Sequence, residues 1–147
     1  MSNAAQCVKT LVQGMVEDRE TYGSLKALLS DQRQWLIARD TAKLEELNPQ
    51  LIACYERLSH NSKQRYQLLT QLGIPVGTPG LRTLFSHLPA THQRQLNGLW
   101  DALEQVAAKC KALNDSNIAV LSMQQEILQN LLNISEPENW LYEQECK

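Results

Sequence analysis

The side chains with the most versatile chemistry in this sequence are three histidines and four cysteines. Two histidines four residues apart on one helix, or the H-E-x-x-H motif, would hold a zinc ion, but His60, His87 and His92 have neither spacing. All three stand at or beside predicted surface turns. We therefore expect surface or capping roles for them, with no metal site and no catalytic residue.

The cysteines are widely separated, and no two of them form a C-x-x-C pair. This spacing argues against structural zinc, and a reducing cytoplasm argues against disulfides. Cys54 and Cys110 fall among regularly spaced apolar residues, where a thiol packs as a small apolar group. We expect them to be buried, and Cys7 and Cys146 to be dispensable for binding.

Catalysis and cofactor binding have little support. Gly73, Gly77 and Gly80 lack both the spacing and the lysine of a phosphate-binding loop. The sequence therefore predicts no cofactor and no enzyme. The alternative is a ligand-binding or catalytic bundle that uses Cys54, Cys110, Asn117 or Gln124. Finding a bound metal or chromophore would support it.

The composition indicates one water-soluble domain with protein partners. The chain has 147 residues, of which 43% are hydrophobic and 20% charged, and its net charge is -2. This balance gives no attraction to nucleic acid or to anionic membranes. Because the sequence has neither a signal peptide nor an 18-residue apolar run, we expect a cytoplasmic protein without membrane insertion.

The apolar residues repeat every seven positions, as in coiled coils, where they form the seam along which helices meet. A first helix is predicted from Gln6 to Arg39, with residues 1–4 set aside because Ser2-Asn3-Ala4 resembles the remnant of an affinity tag. Polar residues interrupt the seams. They are Asp18 and Gln32 in the first helix, Asn61 and Arg65 in the second, and Asn117 and Gln124 in the last.

The second helix is predicted from Thr41 to Leu72, with a kink at Pro49, or a break there as the alternative. Gly73 should end this helix in the left-handed conformation. A short helix follows, with Thr78 as its N-cap, Pro79 in its first turn and Leu88 near its end.

The last helix is predicted from Thr91 to Ile134, a length of about 65 Å, which is too long for a compact sphere. The fold class is therefore all-α: an elongated antiparallel bundle of three long, coiled-coil-like helices, with a short helix in the connection between the second and third. Residues 5–134 form this bundle, and residues 135–147 form a C-terminal tail.

Four segments carry a resemblance to a known family. They are LKALLSDQRQWLIARD (25–40), LEEL (44–47), RYQLLTQLG (65–73) and LNDSNIAVL (113–121). The third matches an R-x-x-L-L-x-x-L-G helix end, and the fourth begins with L-N-x-x-N. In these segments the chain resembles the flagellar export chaperones of the FlgN family.

The resemblance implies a cytoplasmic chaperone of flagellar type III secretion. Such a protein binds the hook-filament junction proteins, also called hook-associated proteins, prevents their premature assembly and delivers them to an export-gate component at the membrane. Amphipathic terminal helices of the junction proteins would be the segments bound. A generic helical adaptor or structural coiled-coil protein without an export role is the alternative.

Angles around the last helix predict the binding surface. Val120, Gln124, Ile127 and Leu131 fall within about 60° of one another and should pack on the bundle, where the amides of Asn117 and Gln124 would fix the register. Four other apolar residues of this helix widen the stripe, and we assign partner binding to them and to the neighbouring Gln125. They are Ile118, Leu121, Leu128 and Leu132. The alternatives are that the tail covers this stripe, through Trp140 and Leu141, or that it forms a homodimer.

Overall fold

The structure, a computed structural model, describes residues 2–135, which form four helices and no strand. The all-α prediction is confirmed. The helices are α1 (Ser2–Ala38), α2 (Thr41–Gln71), α3 (Thr78–Ser86) and α4 (Ala90–Ser135). Ser135 is thus the last residue of α4, and the rest of the predicted tail lies outside the described residues.

α1 and α2 form an antiparallel helical hairpin with a very short turn. Arg39 adopts a left-handed conformation with φ of 56°, and the Asp40 carboxylate accepts a hydrogen bond from the Lys43 backbone N–H at 3.1 Å, which caps α2. α2 continues through Pro49, so the alternative of a break there is wrong. α1 begins at Ser2, earlier than predicted, because alanines 4 and 5 favour helix and no helix-breaking residue precedes Gln6.

Glycines shape the connection from α2 to α3. Gly73 has a φ of 69°, which confirms its predicted left-handed conformation after α2. The prediction of Thr78 as N-cap is wrong: Gly77 occupies that place with a φ of 106°, a value that favours glycine, and Thr78 is the first helical residue. A Cβ added to Gly80 would lie 1.7 Å from the Pro75 carbonyl oxygen, so this turn has room only for glycine.

Two apolar clusters form the core. One lies where α3 folds over α1, α2 and the start of α4, and it includes Met15 and Phe85, both fully buried. The other lies farther along the bundle and joins leucines of α1 and α2 to Cys110 of α4. Cys54 belongs to it as well, so both cysteines that the sequence assigned to packing are buried.

Three of the four polar residues that interrupt the seams of α1 and α2 bind one another, whereas Gln32 accepts a hydrogen bond from Asn117 of α4. Asp18, which is 1% exposed, accepts hydrogen bonds from Asn61 Nδ2 at 2.8 Å and from Arg65 Nη1 at 2.5 Å. The Arg65 guanidinium also lies over the Trp100 ring of α4, 5.5 Å from its centroid. This buried network joins the three longest helices at one level of the bundle.

Candidate partner-binding surface

Hydrogen bonds to α1 set the position of α4. Three α4 side chains spaced seven residues apart donate to main-chain carbonyls of α1 that are also seven residues apart. The pairs are Cys110 Sγ to Tyr22 O at 3.7 Å, Asn117 Nδ2 to Leu29 O at 2.9 Å, and Gln124 Nε2 to Leu36 O at 2.8 Å. α4 therefore runs parallel to α1, and these bonds fit the register role expected for Asn117 and Gln124.

The last part of α4 extends beyond α1. Gln124 bonds to Leu36, and α1 ends only two residues later, at Ala38. The nine residues from 127 to Ser135 therefore extend about 14 Å past the end of α1. We call this segment the α4 extension.

The extension corrects one sequence prediction. Ile127 and Leu131 were expected to pack on the bundle, but they are 47% and 58% exposed. The seven-residue repeat continues along α4 after the helix it would pack against has ended. Gln124 and Val120, one and two turns before Ile127, are half-buried as predicted.

The five predicted binding residues all lie at the surface. Ile118 is 54%, Leu121 43% and Leu128 57% exposed, and Gln125 and Leu132 are exposed as well. At 100° per residue they fall within a sector of about 80° on one side of α4. With Ile127 and Leu131 beside them, the apolar surface is wider than the sequence predicted.

A groove on the same side of α4 continues this surface along the bundle. It has a volume of about 370 Å³. Tyr22 and Leu25 of α1 line it together with residues of the two flanking helices. These are Tyr55, Leu58 and Ser59 of α2, and Ala107, Cys110, Lys111 and Asn114 of α4.

The α2 side of this groove was not predicted from the sequence. Tyr55 is 43% exposed, and Ile52, three residues earlier on the same side of α2, is 56% exposed. Both lie outside the seam of α2. Apolar residues outside the seam were the signal that identified the α4 surface, and the same test applied to α2 would have found these two residues.

The groove is almost free of charge. Burial raises the pKa of Tyr22, Tyr55 and Cys110 above the ordinary values, so all three are neutral near pH 7. Lys111 is the one charged residue in its lining. Along α4 from residue 116 to Ser135, Glu126 is the single charged residue.

A second groove, on a different face of α2, has the opposite character. It has a volume of about 640 Å³ and is lined mainly by charged and polar side chains. Glu17, Glu20, Glu56, Arg57 and His60 are among them. This lining does not suit an apolar partner.

All three histidines are at the surface, as predicted, but His60 lies within α2 and not beside a turn. His60 and His92 are exposed, and His87 is the exposed C-cap of α3. Within residues 2–135, no three histidine, cysteine, aspartate or glutamate side chains lie close enough together to hold a metal ion. No helix in this range is both long and apolar enough to cross a bilayer.

Comparison with known proteins places the chain in a family. The family model described as FlgN protein matches residues 1–139. Neither the curated proteins nor the solved structures contain a match. The family is one of chaperones and not of enzymes. Since the match covers nearly the whole sequence, the chain belongs to the FlgN family of flagellar export chaperones.

Proposed function

We propose that this protein is a cytoplasmic chaperone that binds amphipathic terminal helices of the hook-filament junction proteins. It prevents their premature assembly and delivers them to the type III export apparatus, where an export-gate component receives the complex. Its long helices, in an elongated antiparallel bundle, hold the binding surface of α4 in one orientation.

The exposed apolar side of α4 is the observation that carries this proposal. Ile118, Leu121 and Leu128 lie on one side of a rigid helix, about half exposed. Their spacing suits an amphipathic helix, whose own leucine-like residues recur every three or four positions. Gln125 and other amides between them supply hydrogen bonds without charge.

Temporary coverage of an apolar stripe explains how such a surface prevents assembly. An amphipathic helix that polymerises outside the cell exposes the same stripe inside it, where the stripe would pair with other copies. Binding to α4 buries the stripe and competes with that pairing by mass action. Release then requires no ATP, only a partner at the gate that binds the chaperone or its substrate more tightly.

A double substitution tests the surface. Leu121 and Leu128 are 43% and 57% exposed, so together they offer about the area of one whole leucine. Burying that area is worth about 1.5–3 kcal/mol, or roughly 10- to 150-fold in affinity. Because two carboxylates must also lose water, Leu121→Asp with Leu128→Asp should weaken binding of a purified junction protein by at least about a hundredfold in calorimetry.

Tyr66→Asp with Val76→Asp is the matched control. Both residues are exposed and apolar, and both lie at the opposite end of the bundle from the α4 extension. The control should bind like the unsubstituted protein, and circular dichroism should show both variants helical with similar melting temperatures.

Three results contradict the proposal. If the Leu121, Leu128 variant unfolds, the surface is part of the core; if it folds and binds normally, the junction protein docks elsewhere. If the unsubstituted chain binds no junction protein but co-purifies in a constitutive complex with another assembly, the protein is an adaptor without an export role.

A further inference from the structure

The exposed side of α4 and the groove beside α2 form one continuous surface. Asn114 lines the groove, and Ile118 and Leu121 follow it on the same side of α4, one and two turns farther along. On the α2 side, Tyr55 lines the groove and Ile52 follows it in the same direction. We call this surface the α2–α4 groove; it runs from Ala107 to Leu128.

Ile52 and Ile118 lie at the same level of the bundle. Asn117 bonds to the Leu29 carbonyl, and because α1 and α2 are antiparallel with Asp18 bonded to Asn61, Leu29 lies beside residues 50–51 of α2. The residues that follow Leu51 and Asn117, which are Ile52 and Ile118, therefore stand at this level on their two helices. Both are more than half exposed, so the groove has an apolar rim on each side.

From this arrangement we propose that the partner's amphipathic helix lies in the α2–α4 groove, with its C-terminal end at Lys111. The inference rests on the proposed function and adds the second wall of the site and the direction of the bound helix. In this position the partner contacts α2 and α4 together and completes a four-helix arrangement over α1.

Charge identifies the occupant and its direction. Lys111 is the one cation in the groove lining, and it stands one turn from the end that Ala107 forms. A helix carries partial negative charge at its C-terminus, which is favourable beside a lysine. The bound helix therefore runs antiparallel to α4, with its N-terminal part on the α4 extension.

The uncharged residues in the middle of the groove indicate what kind of partner helix fits there. Between Lys111 and Leu128 the groove side of α4 carries Asn114, Ile118, Leu121 and Gln125, all uncharged; the nearest charges are Asp115 beside Lys111 and Glu45 of α2, two turns beyond Ile52. A partner helix with charged residues against these walls would lose their hydration without gaining ion pairs. The helix that fits has an apolar stripe bordered by uncharged polar residues, over about 17 residues, because Lys111 and Leu128 are about 26 Å apart along α4.

Substitution on α2 tests the second wall. Ile52→Asp should weaken binding of a purified junction protein by at least about tenfold. The variant loses the burial of about half an isoleucine side chain and must bury a carboxylate in its place. Tyr66→Asp, on the same helix but beyond the Lys111 end, should bind normally. Lys111→Glu should weaken binding by about three- to tenfold, because the favourable interaction with the negative C-terminal end of the bound helix becomes repulsive.

Cross-linking tests the direction. A photoreactive p-benzoylphenylalanine replaces Asn114 in one variant and Gln125 in another, and mass spectrometry identifies the partner residues that each one captures. The two positions are eleven residues apart on α4. The residue captured at 125 should precede the one captured at 114 by about eleven positions in the partner's sequence.

The outcomes separate this inference from the proposed function. If Leu121→Asp with Leu128→Asp abolishes binding while Ile52→Asp does not, the α4 surface stands and the α2 wall is refuted. The reverse order of cross-links refutes the direction. If light scattering shows a dimer of this chain that Ile52→Asp dissociates, the occupant is a second copy and the inference is wrong; if the unsubstituted protein binds no junction protein, both proposals fail.

Discussion

The buried network of Asp18, Asn61 and Arg65 should be among the most sensitive sites for stability. The Asp18 side chain is 2% exposed and that of Arg65 is 16% exposed. Asp18→Ala removes the carboxylate that satisfies both partners and leaves a buried guanidinium without its counter-charge. Removing one member of a buried ion pair costs about 3–5 kcal/mol.

Thermal and urea unfolding, followed by circular dichroism at pH 7, measure this cost. For a chain of this size about 1 kcal/mol corresponds to 2–4 °C, so the melting temperature should fall by about 6–20 °C. Asp31→Ala, an exposed aspartate on the same helix, is the control and should change stability by less than about 0.5 kcal/mol.

Replacing the whole network distinguishes an unpaired charge from lost packing. In the triple variant Asp18→Leu, Asn61→Leu, Arg65→Met no buried charge is left unpaired, so stability should return to within about 1 kcal/mol of the unsubstituted protein. A loss of less than about 1 kcal/mol in Asp18→Ala, or a triple variant no more stable than Asp18→Ala, would refute the reasoning.

Three further predictions follow from single residues. Gly80→Ala should lower stability by more than about 2 kcal/mol because its Cβ meets a backbone carbonyl. Gly98→Ala, in open space within α4, should instead raise stability by about 0.5–1 kcal/mol. Thermal melts measure both changes, and equal effects would contradict the steric argument. Burial raises the pKa of Cys110, so iodoacetamide should alkylate it more slowly than the more accessible Cys7, and its alkylation should require a higher pH. Peptide mass spectrometry measures the two rates, and equal rates would contradict this. Burial, aided by the nearby Asp18 carboxylate, raises the pKa of Tyr22 above its ordinary 10.0. The stability that neutral Tyr22 contributes is therefore complete below pH 10 and is lost as the pH rises through the pKa of the folded state. In urea titrations from about pH 8 to 11, stability should decline less steeply with pH for Tyr22→Phe than for the unsubstituted protein, and parallel curves would contradict this.

The sequence predicted the helices and their inward faces because a seven-residue repeat states which side of a helix is buried. Leu11, Leu25 and Leu29 are buried as their spacing requires, and Asn117 contacts α1 through its seam position. The same repeat does not state which residue of another helix lies opposite. The partners of Asp18, more than 40 positions away, therefore became known only from the structure.

The level along α4 at which α1 ends is the second feature that periodicity could not supply, although α1 itself was predicted to end at Arg39. Ile127 and Leu131 keep the spacing of core residues, yet whether they are buried depends on where another helix stops. That point is set locally, by the left-handed Arg39 and the Asp40 cap. The candidate surface on α4 was recognised from apolar residues outside the seam, and Ile52 and Tyr55 carry the same signal on α2.

The parallel arrangement of α1 and α4 has a consequence for the order of folding. Each hydrogen bond that sets their register joins residues 88 positions apart, whereas the Asp18 network joins α1 and α2 across 43 to 47 positions and their turn is only two residues long. Contacts between distant residues form more slowly, because a longer loop must close before they can form. We expect the α1–α2 hairpin to form first and α4 to dock onto it late, so that during synthesis the helix with the candidate binding surface is the last part of the fold to be completed.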